Sequence, residues 1–140
     1  MHEFVGHGLV IPFHRGARDF ATADGERLVR ACVQQILGTV GASDFTQGEL
    51  PWRTEFGSLL HLLRHQQNDV ALREMAKVYV RDALQRWEPR VRVTQLDAQR
   101  ADDAAGGKLI LRLRYDVVQR NVPGGQMLFA GLEQTVAVTP

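Results

Sequence analysis

Cysteine is nearly missing from this sequence: Cys32 is the only one among 140 residues. An intrachain disulfide and a thiol-based zinc site are both excluded, and a reducing cytoplasmic setting is favoured. An excess of one charge is missing too, since 17 Lys and Arg stand against 16 Asp and Glu, for a formal net charge of +1. That balance argues against a general nucleic-acid binder, whose affinity rests on releasing counterions from phosphates. Long apolar runs are absent, so no window reaches the roughly 18 consecutive apolar residues of a membrane span. The opening Met1-His2-Glu3-Phe4-Val5-Gly6 has neither the basic start nor the apolar stretch of a secretion signal. Internal repeats and low-complexity tracts are also lacking. The expectation is a soluble, unprocessed protein that needs no cofactor.

What is present is an apolar fraction of 44%. A chain of this length removes roughly 68–70% of its unfolded surface from water, so residues 1–140 read as one domain. In residues 1–22, Gly6, Gly8, Pro12 and Gly16 interrupt every apolar cluster, which predicts an extended arm. Its apolar residues, Phe4, Leu9, Ile11 and Phe13 among them, are too many for a solvated tail, so part of the arm should dock. A helix is predicted at about 24–38, where Asp24 can cap and Leu28, Val29, Val33, Ile36 and Leu37 recur with helical spacing. Cys32 lies on that stripe, where a small core residue explains it more simply than a reactive thiol. Residues 39–53 form a polar loop with Phe45 and Trp52 embedded in it. Two more helices are predicted at about 54–65 and 69–87, separated near Gln66-Gln67-Asn68, with Asn68 as a cap. The helical part is therefore residues 24–87.

After Pro89 the apolar period changes from about 3.6 to about two. Strands are predicted at about 91–99, 108–120 and 126–138. The middle one is clearest: Leu109, Leu111, Leu113, Tyr115 and Val117 alternate with Arg112, Arg114 and Asp116. Asp102 to Gly107 is a flexible turn, and Val122-Pro123-Gly124-Gly125 suits a type II turn. If Val122 pairs with Gly125, Tyr115 faces Leu132, Leu111 faces Val136 and Arg114 faces Glu133. Apolar then meets apolar and charge meets opposite charge. The expected fold is α+β, with an N-terminal arm and about three helices on one face of a three-stranded antiparallel meander over 91–138.

Catalytic and metal-binding patterns are thin. His61 and His65 have the helical spacing of two metal ligands, but the glutamate that a zinc hydrolase needs beside the first is missing. His2, His7 and His14 lack an element that would fix ligand geometry, so no metal is expected. Glu49 and Glu55, flanking Trp52, are the best pair for glycosidase chemistry, although solvated carboxylates explain them more simply. Gly6-x-Gly8 lacks the third glycine of a phosphate cradle. Arg112 and Arg114, with Arg90 and Arg92 on the neighbouring strand, form either a basic stripe or a solvated, protein-binding face. The near-neutral charge and Glu133 opposite Arg114 favour the second. Trp87-Glu88-Pro89-Arg90 is the most distinctive feature. Proline ends the helix and holds Glu88 extended, so Glu88 and Arg90 can project from a stiff corner and clamp a partner, although a simple helix stop with local charges explains them more simply.

Gly6-x-Gly8-Leu9-x-x-Pro12-Phe13, Ile36-Leu37-Gly38-Thr39, Gly48-Glu49-x-Pro51-Trp52-Arg53-x-Glu55-Phe56-Gly57 and Trp87-Glu88-Pro89-Arg90-Val91 occur in order along nearly the whole chain. Together they resemble the gene-twenty-five-like baseplate wedge proteins of contractile phage tails, type VI secretion baseplates and extracellular contractile injection particles. The resemblance implies a structural, non-enzymatic component that joins the baseplate to the contractile sheath and templates the first sheath ring. It implies that Glu88, Pro89 and Arg90 bind the core helical bundle of the wedge. It also implies that the meander edges, at Thr94 on one side and Thr135 and Ala137 on the other, receive sheath arms by strand addition. Several copies would act in a ring, assembled in the cytoplasm and retained in the baseplate of a tail-like particle, without nucleic acid. Many members carry Gly-Glu-Arg where this chain has Gly48-Glu49-Leu50, so the role of that arginine does not transfer. A lysozyme name attached to parts of the family makes a peptidoglycan-degrading enzyme the alternative.

Overall fold

The helical stripe of Leu28, Val29, Val33, Ile36 and Leu37 is buried along α1, Gly25–Gly38. At its end Thr39 donates its N–H (3.0 Å) and its hydroxyl (2.7 Å) to the Gln35 carbonyl, satisfying an acceptor that the last turn leaves open. The computed structural model describes residues 7–9, 22–63, 70–101, 108–119 and 125–138. Of the expected arm, His7–Leu9 forms β1, which pairs antiparallel with β2, Thr22–Asp24, immediately before α1. The rest of the arm, the Gln66–Asn68 joint, His65, the 102–107 turn and Val122 to Gly124 lie outside the described residues.

The second helix, α2, spans Val70–Trp87 and buries Leu72, Ala76, Val80, Ala83 and Leu84. The helix expected at 54–65 does not form: the described part holds one 3-10 turn, Leu60–Leu63. Its backbone groups are committed elsewhere. Ser58 donates to the Thr39 carbonyl and accepts from Gly41, both at 3.0 Å, making a bridge to the segment after α1. Gly57 takes φ 123°, and a Cβ there would lie 2.4 Å from the Thr39 carbonyl oxygen, so the chain passes too closely for a helix.

Three strands follow in the order β3-β4-β5: Val91–Ala101, Lys108–Gln119 and Gln126–Val138, all antiparallel. The odd residues Leu109 to Val117 of β4 are 0–4% exposed and join α1 and α2 in one core, while Arg112 and Arg114 face solvent. The register expected for β4 and β5 is found at Leu111↔Val136, Arg114↔Glu133 and Tyr115↔Leu132. Towards the turn it slips by one residue at Val117↔Phe129 and again at Val118↔Met127. Bulges in β5 absorb the extra residues. Gly131 sits in the first at φ 65°, and its N–H donates to Asp116 Oδ1 at 2.8 Å. Among the described residues no helix is long and apolar enough to cross a membrane.

Candidate functional site

The corner between α2 and β3 is fastened along its backbone. Glu88 N–H donates to the Leu84 carbonyl (2.8 Å), Val91 N–H to the Glu88 carbonyl (3.0 Å) and Val118 N–H to the Arg90 carbonyl (2.9 Å). Pro89 occupies the turn closed by the second of these bonds, where its fixed φ suits the second turn position.

The side chains at this corner correct the expectation that both charges project outward. Glu88 does not project: it is 5% exposed, and its carboxylate receives Arg90 Nε at 2.6 Å and Nη2 at 2.8 Å. Such a two-bond fork holds a carboxylate in one orientation. Arg90 keeps 30% of its side chain in contact with water and Pro89 is exposed, so these two residues form the outward part of the corner. The Glu88 carboxylate raises the affinity of Arg90 for its proton. Cys32 of α1 is partly buried beside the same pair. Burial pushes its thiol above the ordinary value, with the Glu88 charge acting in the same direction and Arg90 opposing it. Spacing shows that Cys32 lies on an apolar stripe, but not that the stripe ends against an ion pair.

Two features border the corner. A groove of about 260 Å³ lies between α2 and β3, lined by Arg81, Leu84, Gln85, Pro89, Val91 and Val93. On the other side, Trp87 packs on Phe56 with ring centroids 5.3 Å apart, and the guanidinium groups of Arg53 and Arg86 lie 4.8 and 5.0 Å from the Trp87 ring centre. The Arg53 contact ties the 39–58 loop to the end of α2, where Arg86 flanks the same ring. Within that loop Phe45 and Trp52 are 89% and 81% exposed.

The carboxylates weighed for catalysis are engaged with the chain itself. Glu49 Oε2 accepts from Val40 N–H at 2.9 Å, while Glu55 pairs with Arg86. The cavity beside Glu55 measures about 60 Å³, room for a few waters. His61 Nδ1 lies 3.3 Å from the Ser58 carbonyl, and no group of three or more potential ligands among the described residues is placed to hold a metal. The arginine stripe is broken by acids: Arg114 pairs with Glu133, Arg90 with Glu88, and Arg112 stands opposite Asp97.

The two sheet edges differ. On β3 the register shifts between Val93 and Gln95, leaving Thr94 as the extra residue of a bulge, its hydroxyl donating to the Arg114 carbonyl at 3.0 Å. Thr94 is therefore tied into the ladder instead of standing on a continuous open edge. The direction of the β4 groups fixes the other edge. Thr94 reaches the Arg114 carbonyl and Val118 N–H reaches Arg90, so residues 114 and 118 turn their peptide groups towards β3. In an antiparallel ladder both groups of a residue point the same way, so Glu133, opposite Arg114, points its own away from β4. The same alternation turns Thr135 and Ala137 outward. From Leu132 to Val138 the register with β4 runs without a shift.

A family model described as baseplate wedge protein gp25 matches residues 23–122. No curated protein matches the chain. Among solved structures, a Geobacter sulfurreducens protein proposed to be a tail lysozyme superposes with a TM-score of 0.60 at 23% identity, covering 81% of this chain and 88% of that one. At that identity the likeness concerns the fold.

Proposed function

Because the chain belongs to the baseplate wedge protein gp25 family, we propose that it is a non-catalytic baseplate component joining wedge to contractile sheath and templating the first sheath ring. The observation that carries this reading is the β5 edge, where Glu133, Thr135 and Ala137 present outward peptide groups in regular register. An extended sheath segment gains main-chain hydrogen bonds there without disturbing the core. Its alternate side chains meet Leu132 and Val136, which are only partly buried against the core and gain cover from a fourth strand. The bulge at Thr94 makes β3 the poorer template.

The wedge contact falls at the Glu88-Pro89-Arg90 corner. Pro89 and the water-facing side of Arg90 meet the core bundle of the wedge, Glu88 holds Arg90 in position from inside, and the adjoining groove receives apolar side chains. Copies arranged as a ring, assembled in the cytoplasm and retained in a tail-like particle, complete this reading; no nucleic acid takes part. Proline at Thr135 or Ala137 tests the sheath contact. In a reconstituted baseplate these variants should nucleate sheath poorly while Thr135→Ser performs normally; normal sheath from well-folded proline variants would overturn strand addition at β5.

Hydrolysis of peptidoglycan is the second reading, favoured only by the description of the Geobacter sulfurreducens neighbour. The engagement of Glu49 and Glu55 with the chain itself supports the structural role instead.

A further inference from the structure

We infer that Arg30 holds the β5 edge closed in the free protein, and that a strand joining this edge has to displace it. This rests on the reading of β5 as a strand-accepting edge and adds how that edge is controlled.

The Arg30 side chain leaves α1 and donates through Nη1 to the carbonyl of Glu133. That carbonyl is one of the outward groups of β5, by the alternation set by Arg114 and Val118. An incoming strand needs it as an acceptor. The guanidinium is held in place by a second contact, Nε to Glu26 Oε1 at 2.8 Å, one helical turn away. The helix backbone is fixed at the same level: Gln134 Nε2 donates to the Arg30 carbonyl (3.1 Å), and Tyr115 Oη donates to Gln134 Oε1 (3.0 Å). Glu133 is anchored from the far side as well, through its carboxylate and Arg114. A charged side chain therefore covers one edge acceptor, while among the described residues nothing bonds the outward groups of Thr135 and Ala137, nearer the end of the strand. Covering an edge with charge is a known way to stop sheets from pairing prematurely. It fits a template that must ignore its own copies and still accept a strand that first pairs at Thr135 and Ala137 and then replaces Arg30 at Glu133.

Sedimentation velocity of the full chain over a concentration series tests this without any sheath protein. Arg30→Met keeps the aliphatic stem and removes the donors; Arg30→Gln is the second variant should the first fold poorly. The expected result is self-association at about tenfold lower concentration than the unsubstituted chain, from loss of one charge-assisted, partly exposed contact. Adding Thr135→Pro should return the protein to monomer. Unchanged self-association in both Arg30 variants, or association that persists with Thr135→Pro, overturns the guard. The outcome is separable from that of strand addition by sheath: loss of sheath binding in Thr135→Pro with no effect of Arg30→Met sinks only the guard. Self-association released by Arg30→Met with normal sheath nucleation by Thr135→Pro keeps the guard and sinks only the sheath contact.

Discussion

Glu88 carries its carboxylate inside the fold, so the residue that keeps it stable is Arg90, two positions along. Removing one partner of such a pair leaves a buried charge with no fork to receive it. Arg90→Ala should therefore destabilise the domain, by about 3 kcal/mol and not the full range for deeper pairs, because Arg90 itself is partly hydrated. Denaturant unfolding measures this, and Glu88→Gln combined with Arg90→Ala should recover much of the loss. An undiminished midpoint in Arg90→Ala would show that water already stabilises the Glu88 carboxylate. Tyr115 offers a pH test. Its phenol is fully buried, and burial pushes its pKa up to about 12 from an ordinary value of 10.0. The folded protein then keeps a proton that the unfolded chain releases, so stability from this group is intact below pH 10 and lost as pH rises towards 12. Over that window the stability advantage of the unsubstituted protein over Tyr115→Phe should shrink by roughly 2 kcal/mol. A constant difference would mean that the phenol is hydrated.

For elements, the alternation along β5 separates two kinds of proline substitution. Ala137→Pro removes a donor that faces outward, whereas Val136→Pro removes one that bonds β4 and leaves the Leu111 carbonyl without its partner. Val136→Pro should cost about 1–3 kcal/mol more, read from melting curves of the isolated protein. Equal costs would mean that the alternation is assigned the wrong way round. The 39–58 loop should be as intolerant as a core. A Cβ on Gly48 would lie 1.8 Å from the Thr54 carbonyl oxygen, and Gly57 adds a positive φ to its close contact with Thr39. Either Gly→Ala change should shift the loop and unfasten Phe56 and Arg53 from Trp87, which quenching and wavelength of Trp fluorescence report. Gly131, with positive φ but nothing near its Cβ position, should accept Asn at little cost.

Across the whole molecule the two proposed contacts lie at opposite ends of the sheet order: the corner leads into β3 and the guarded edge is β5. Arg90→Lys, which keeps the charge beside Glu88 but loses the fork, should weaken wedge co-purification and spare sheath nucleation; Ala137→Pro should do the reverse. A single variant that abolishes both while remaining folded would mean one shared surface. Peptidoglycan incubated with the purified chain should release no fragments. Activity lost in Glu49→Gln or Glu55→Gln would favour the hydrolase instead. The stripe of α1 and the two-residue alternation of β4 are legible in the sequence because side-chain period is written in consecutive residues, and the pairing of Leu111 with Val136 and Arg114 with Glu133 follows from matching two such alternations across a short turn. The helix assigned to 54–65 and the constant register near the turn failed for one reason. Hydrogen bonds to Thr39 and Gly41, and the Asp116 carboxylate waiting for Gly131 N–H, are long-range partners that outcompete local preference. Four features become visible in three dimensions alone: Glu88 turns inward, Cys32 lies beside it, Thr94 is locked in a bulge, and Arg30 reaches the Glu133 carbonyl. Glu88 turns inward because the packed core buries it beside a partner two positions along, and Cys32, Thr94 and Arg30 meet groups that the fold brings within reach across many residues, a proximity that no spacing along the chain encodes.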